Sequence, residues 1–559
     1  MSPSDSSPVY ELGLVMAGAV SAGAYTGGVI DFMVQALDEW YAAKASGQAL
    51  PPHDVQIKVL SGASAGGMTA AMTSALARGR LERVGGDSER GSAVNSLYES
   101  WVERIDIEHL LGTRDLDREG PVPSLLDSTV LEEIAEAAFD VPLRDTYRPY
   151  LSDPLHLYLS VANLVGVPYN IGFQGQGRRG HGLHLHADHL HFVVSESDFE
   201  RPGARYLPGG DLAHGNWDLL KEGALATGAF PLGLAPRTLH RPPGDYGLRN
   251  WSVPLASPAE RDGEFHCQEV RQVRPAWDPE PAGEYEFLCV DGGLMDNEPL
   301  ELARQELAGK RSERNPRDAG SARRGVILID PFPNPTATDP HPPEKTGLLG
   351  VFTRMFGALK EQARFKPQEL LLAGEETVFS RFMIAPSRIG TDGQEVAFPL
   401  ACGSVGAFGG FLAEDFRRHD FFLGRRNAQR FLQRWFAIPE SAGNPLFGEW
   451  TEAMKDQYGT ERNGERYLPI IPLVGNSREP VDLPAWPRYT SRQLEQLRER
   501  ALVRLDAVAR ALIDEHLDGW FVRRAARVVW KARRNGLVDD LMKQVTTSLE
   551  ERNLMAESA

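Results

Sequence analysis

Along the chain, short apolar runs alternate with longer stretches in which apolar residues recur every three to four positions. Residues 10–16 form a nearly unbroken apolar run, which predicts a buried strand. A Gly/Ala/Ser turn follows, then a helical pattern over about 27–45. Residues 55–60 (VQIKVL) predict a second strand, which runs through GASAGG into an Ala- and Met-rich helix over about 65–78. Strand, turn and helix in alternation signal an α/β fold built on a parallel sheet. Beyond a polar, Gly-rich loop at 79–92, the pattern predicts helices near 94–103 and 129–138 and strands at 155–163 and 190–194. A helix at 217–227 then runs into GAFP. Residues 240–285, rich in Pro, Trp and charge, read as an irregular insertion. A strand over 286–290 ends at Asp291-Gly292-Gly293, Asp296-Asn297-Glu298-Pro299 opens a helix with Pro near its first position, and 326–329 is a further strand.

The Pro-rich stretch 331–343 reads as a linker, and the chain beyond it is mainly helical, with strong helical periodicity over 490–555. No internal repeat at solenoid periods is visible. The pattern divides the chain into a disordered start (residues 1–9), an α/β domain (10–335) and a mainly helical C-terminal extension (336–559).

Composition narrows the function. Of 559 residues 42% are hydrophobic and 25% charged, an ordinary globular profile able to bury a sizeable core. Lys and Arg number 60 against 77 Asp and Glu, for a formal net charge of −17. That balance argues against a nucleic-acid partner, whose binder would carry a basic surface. It leaves room for membrane contact through a local basic patch. Three cysteines (Cys267, Cys289 and Cys402) are odd in number and widely spaced, suggesting neither a disulfide framework nor a zinc motif. A reducing, cytoplasmic compartment is expected. Residues 12–25 resemble a signal-peptide core, but the preceding residues hold no Lys or Arg and include Asp5 and Glu11, so no signal peptide is expected. No unbroken apolar run approaches the ~18 residues of a transmembrane helix.

Three short elements carry the candidate chemistry. Gly62-Ala63-Ser64-Ala65-Gly66 matches G-x-S-x-G between a predicted strand and a predicted helix, the setting of a nucleophile elbow. There Gly62 and Gly66 remove side chains that would clash, the helix N-terminus favours developing negative charge, and the Ala65 amide is a natural first oxyanion donor. Upstream, Gly18-Ala19-Val20-Ser21-Ala22-Gly23 is a small-residue loop between strand and helix, able to aim backbone amides at an oxyanion. It is neither G-x-G-x-x-G nor a P-loop, since Ala24-Tyr25 stands where Lys-Ser/Thr is required. Downstream, Asp291 with Gly292 and Gly293 sits at a strand end, where open α/β sheets build their sites. Read singly, the loop is equally compatible with a plain packing role, and the Asp-Gly pair reads as a common turn.

Taken in order, the three elements resemble those of patatin-like phospholipases, as do Asn163-Leu164-Val165-Gly166, Ala226–Pro231 and the Asp296–Pro299 continuation, over roughly residues 10–310. More loosely, Phe408–Phe411 and Asp420 to Arg425 resemble the extensions of large bacterial members. The resemblance implies a three-layer α/β/α fold with a mainly parallel sheet, plus a largely helical C-terminal region. It also implies a Ser–Asp dyad without cofactor or metal. Ser64 would attack a lipid carboxylic ester as nucleophile, Asp291 would be its base, and Gly18, Ala19, Val20 and Ala65 would form the oxyanion hole. An aspartate of ordinary pKa, about 3.9, is a weak base at neutral pH, so partial burial or a compensating geometry is expected. One departure stands out: the family's loop is G-G-G-x-Arg/Lys-G, whereas here Ala19 and Val20 replace two glycines and Ala22 occupies the basic position. The alternatives are a general carboxylesterase or thioesterase using the same dyad, and a weakly active membrane-associated scaffold.

A Ser-Asp-His triad would need a histidine after Asp291, and the chain offers His341, His419 and His516. His341 lies in the linker; His419 and His516 sit in charged contexts of the kind found on solvated faces. His181, His184, His186, His189 and His191 crowd one stretch that reads as a half-exposed hairpin, with a metal site as the rival reading and no H-E-x-x-H pattern in support. From Trp520 to Arg534 (WFVRRAARVVWKARR) the chain is basic and amphipathic, a candidate for peripheral contact with an anionic membrane and equally a helix packed on the body. Residues 348–356 are also amphipathic and read as core or as a lid. Oligomeric state is not legible.

Overall fold

A computed structural model describes residues 8–85, 94–118, 120–173, 180–261, 264–309, 315–333, 374–375, 377–390 and 392–556. Residues 1–7 of the expected disordered start lie outside these, as do 334–343 of the Pro-rich stretch, His341 with them, and the amphipathic run 348–356. In chain order the strands are β1 (Val9–Met16), β2 (Asp54–Gly62), β3 (Leu151–Ile171), β4 (His181–Ser195), β5 (Arg205–Pro208), β6 (Arg237–Arg241), β7 (Asn250–Arg261), β8 (Glu264–Gln272), β9 (Tyr285–Asp291), β10 (Arg324–Ile329) and β11 (Arg381–Ile384). The longer helices are α1 (Gly23–Ala45), α2 (Ser64–Ala75), α3 (Thr129–Phe139), α4 (Gly215–Thr227), α5 (Leu300–Ala308), α6 (Glu414–Arg434), α7 (Ser491–His516) and α8 (Trp520–Glu551).

β1 from Leu12, β2 from Val59 and β10 from Gly325 are buried on both faces, because both sides of the parallel sheet are covered. Successive side chains alternate between two cores. Leu12, Leu14 and Met16 of β1, with Ile327 and Ile329 of β10, join the large core that includes α1 and α2. Val15, Val326 and Leu328 point the other way, onto Leu300, Ala303 and Leu307 of α5. The result is a three-layer α/β/α sandwich. Its strand order is β11-β10-β1-β2-β3-β4-β5, parallel from β11 through β3 and between β4 and β5, antiparallel between β3 and β4.

The sheet continues past residue 335: β11 adds to the open edge of β10. Among the described residues the region that follows is largely helical. α6 packs along α1 at van der Waals range because glycines face backbone on both sides. A Cβ on Gly28 would collide with the Phe421 carbonyl, and one on Gly424 with that of Tyr25. Asp31 and Arg425, both buried, pair across this seam.

α7 starts at a capping box in which Thr490 and Gln493 satisfy each other's amides. With α8 it forms a hairpin whose base is buried through Leu497, Ala501 and Val508 on one arm and Val538, Met542, Val545 and Leu549 on the other. Arg504 fastens the hairpin to the body. It is fully buried, pairs with Asp115 through both nitrogens (2.5 and 2.8 Å), and donates to the carbonyls of Gly112, Ser124 and Leu125. Among the described residues, no helix is long and apolar enough to cross a membrane.

One sequence reading is corrected. Residues 240–285 are not irregular: β7 and β8 form an antiparallel hairpin there, with an irregular register between Pro254 and Ala259. A proline inside a run and a broken ladder conceal the strand period.

Candidate active site

β2 ends in a turn so sharp that Ser64 takes a φ of +52°, a left-handed value that costs a non-glycine residue of order 1–3 kcal/mol. The neighbouring glycines make the turn feasible. A Cβ on Gly62 would lie 2.5 Å from the Gly66 carbonyl oxygen, and one on Gly66 would collide with the end of β1 at Met16 and Ala17. α2 begins at Ser64, which places the hydroxyl at a helix N-terminus.

Asp291 reaches this serine by an indirect route. β3 is parallel to β2 and runs beyond it: Leu159 is level with Gly62, and the strand continues to Ile171. β9 lies antiparallel on that projecting half, with Val161 opposite Asp291 and Asn163 opposite Cys289. The last residue of β9 therefore arrives at the C-terminal end of β2. Ser64 Oγ donates to Asp291 Oδ2 at 2.5 Å, across 227 positions of sequence. The other carboxylate oxygen, Oδ1, accepts the Gly293 amide at 2.7 Å. Gly292 must lack a side chain because a Cβ there would collide with the Ser160 carbonyl. Both side chains of the pair are buried, with residual exposures of 7% for Ser64 and 5% for Asp291.

The Gly18–Gly23 loop passes beside Ser64. A Cβ on Gly18 would sit 3.0 Å from the Ser64 Cβ and collide with Asn297 Oδ1. The Gly18 amide donates to the Asn297 carbonyl at 3.2 Å, so it is already engaged. Among the described residues, no hydrogen bond engages the amides of Ala19, Val20 or Ala65. Val20 has a φ of +49°, which for a β-branched residue is a genuine backbone outlier. Together Gly18, Ala19, Val20, Ser64, Asp291, Gly293 and Asn297, with apolar Phe230, Pro231 and Leu294, line a narrow cleft.

Two residues of the site escaped the sequence reading. Thr227, at the end of α4, accepts the Ser64 amide on Oγ1 (3.0 Å) and donates its hydroxyl to the Ser160 carbonyl (2.5 Å), tying the elbow to β3. Asn297 joins the two loops that flank the serine, accepting from Gly18 on its carbonyl and donating Nδ2 to the Glu298 carboxylate at 2.6 Å. Each lies in a stretch noted for its resemblance, but no local pattern marks either for this role.

No histidine lines the cleft among the described residues. His419, expected on a solvated face, is instead buried in α6. Its Nδ1 lies 2.8 Å from Asp420 and its ring stands edge-on to Trp486. Pairing with the adjacent carboxylate is what lets a charged-looking stretch enter the core. His516 is exposed at the end of α7.

The crowded histidines lie on β4, in the β3–β4 hairpin. Among the described residues, only His191 of these belongs to a cluster spaced for a metal, with His156 and Glu306. Burial pushes His156 down to about 4 and His191 well below its usual range, so both are neutral imidazoles. Burial alone would raise Glu306, yet the hydrogen bonds and charge of Arg201 and the hydrogen bond from Tyr158 hold it at about 2. Arg201 bonds both of its oxygens (2.7 and 2.9 Å) and Tyr158 donates to one of them at 2.6 Å. The guanidinium already supplies the positive charge that a cation would bring, and the cluster reads as a buried polar network.

A serine on a strand-to-helix elbow of a three-layer sheet, facing a strand-end aspartate and a small-residue loop, defines a recognisable class of α/β protein. The family model described as patatin-like phospholipase matches residues 14–304, more than half of the chain, and the chain belongs to that family. It is also similar to the uncharacterized protein y4iI of Sinorhizobium fredii (strain NBRC 101917 / NGR234). The two are 35% identical over 580 residues, spanning 96% of this chain and 80% of that protein.

Proposed function

We propose that the protein hydrolyses carboxylic esters of lipids, phospholipids among them, through a Ser64–Asp291 dyad. The observation that carries this reading is the 2.5 Å hydrogen bond from Ser64 Oγ to Asp291 Oδ2, inside a cleft with unengaged amides on its wall. The Ser64 proton passes to Asp291 as Oγ attacks the ester carbonyl carbon. The carbonyl oxygen becomes an oxyanion, received by amides from among Ala19, Val20 and Ala65. Collapse expels the alkoxide, which takes the proton from Asp291 and leaves an acyl-enzyme. Water then attacks the acyl carbon and gives a proton to Asp291; the second collapse frees the fatty acid and returns that proton to Ser64. Direct transfer at 2.5 Å dispenses with an intervening imidazole, and burial removes the water that would otherwise stabilise the carboxylate.

The experiment is fatty-acid release from phospholipid dispersions beside a panel of short soluble esters and thioesters, with fluorophosphonate labelling of Ser64. Release from phospholipid with labelling is expected. Hydrolysis of short esters alone would assign a general esterase or thioesterase, and an unreactive Ser64 would reduce the protein to a scaffold.

The same reading places the protein on an anionic bilayer through the tip of the α7–α8 hairpin. Trp520 and Phe521 are stacked at the start of α8 and exposed by 62% and 70%, and Val528 and Val529 are as open. Arg523, Arg524, Arg527, Lys531, Arg533 and Arg534 lie on the same helix, Arg527 and Arg534 paired with Asp514 and Asp506, on a chain whose net charge is −17. Burying two aromatic side chains is worth roughly 3–6 kcal/mol. The double variant Trp520→Ser/Phe521→Ser is therefore expected to weaken binding to phosphatidylglycerol-containing vesicles by about 10²-fold in a flotation assay while leaving soluble-ester turnover intact. Undiminished binding would remove the tip from the contact.

A further inference from the structure

We propose that Ser21 is a positioning residue for the oxyanion loop, clamped in place by the C-terminal extension, so that the extension is a working part of the active site. The inference rests on the acyl-hydrolase reading above. Ser21 lies within Gly18–Gly23 and is fully buried. Its hydroxyl donates to the Ala407 carbonyl at 2.6 Å and accepts the Gly410 amide at 2.9 Å. A single side chain thus ties the loop that borders Ser64 to a segment almost 400 residues further on.

That segment is itself held firmly. The Gly410 carbonyl accepts Nη1 of Arg417 (2.7 Å), whose other nitrogens bind the Val102 carbonyl. The amides of Ala401 and Cys402 converge on the carboxylate of Asp420 (3.1 and 2.8 Å). Arg417 and Asp420 are both buried, one turn apart on α6, and α6 is locked against α1 by the glycine seam. Gly410 is shaped for the contact: a Cβ there would lie 2.5 Å from Cys402 Sγ and 2.6 Å from Ser21 Oγ.

The backbone on both sides of the clamp is unrelaxed. Val20 has φ +49°, while Val405 and Ala407 have φ of +52° and +75°. Such residues are strained and persist only where their surroundings over-determine them. Ala22 leaves the loop without a charged side chain of its own to anchor it. The Ser21 hydroxyl is the tether the structure offers instead, and it fixes the amides of Ala19 and Val20, its two preceding neighbours.

The test is steady-state hydrolysis of a soluble ester together with inhibition by a trifluoromethyl ketone, which adds to Ser64 and places an oxyanion in the same hole. Removing one oxyanion donor costs ~10²–10³ in rate. A loosened loop in Ser21→Ala is therefore expected to lower kcat by about 10–10²-fold, shift KM by less than about threefold, and raise the inhibition constant by the same factor as kcat falls. Gly410→Ala, which displaces Ser21 from the extension side with the loop sequence intact, is expected to give the same coupled shift, and it serves if Ser21→Ala fails to fold. A folded variant with a lower melting temperature but wild-type kcat and inhibition constant would make the contact merely structural and overturn the proposal. A wild-type protein that neither hydrolyses esters nor labels at Ser64 would instead remove the acyl-hydrolase reading, and the positioning role with it.

Discussion

Ester hydrolysis by Ser64→Ala should fall by about 10⁴-fold or more, to the rate of the uncatalysed reaction supplemented by binding alone. The lining of the cleft explains the size of the loss. Apart from Ser64 it consists of glycine, alanine, valine, phenylalanine, proline, leucine, asparagine and the aspartate, so no second hydroxyl or thiol stands ready to attack. Of the two cysteines whose side chains are described, Cys289 is buried in β9 with its thiol pushed up to about 12 by burial, and Cys402 is enclosed under α6. Neither is a substitute nucleophile. The fold should tolerate the change: alanine meets the same left-handed backbone as serine, and the hydrogen bond from the residue-64 amide to Thr227 Oγ1 is unaffected. Initial rates of fatty-acid release, with a melting curve as control, check the expectation. A folded variant keeping a tenth of the wild-type rate would refute the assignment.

Asp291→Asn should cost almost as much, about 10³–10⁴-fold in kcat/KM, with substrate affinity little changed. The geometry dictates how the amide sits. The Gly293 amide donates to Oδ1, so an asparagine would keep its carbonyl oxygen there and turn its NH₂ toward Ser64. The serine would then face a donor where it needs an acceptor, and its proton would have nowhere to go. A comparable wrong-partner substitution in a catalytic triad costs about 10⁴. Activity of Asp291→Asn within tenfold of wild type, measured on the same ester, would assign the base to another group.

The nucleophile region was legible because its information is local. An apolar β-branched run, a five-residue turn and a small-residue helix fix the elbow within about twenty positions. Asp291 was legible as a strand-end carboxylate, but its route to the serine was not: β9 runs antiparallel on the overhang of β3, and the pattern over 155–163 predicted only the middle of a strand that extends from Leu151 to Ile171. Thr227, Asn297 and Ser21 act through partners 163, 279 and 389 positions away, beyond the reach of any local signal. Hydropathy likewise misread α6. His419 was expected on a solvated face, yet Arg417, His419, Asp420 and Arg425 are all buried, each beside a polar partner that composition cannot reveal.

The position of β11 carries a consequence for any attempt to trim the molecule. It covers the flank of β10, whose residues from Gly325 to Ile329 are all buried. A polypeptide cut within the proline-rich stretch would keep both Ser64 and Asp291 but bare a row of unsatisfied amides and carbonyls alongside aliphatic side chains, a template for stacking with its own copies. Proteolysis there would thus drive the remainder toward aggregates, and the enzyme would be lost through insolubility before its chemistry was touched.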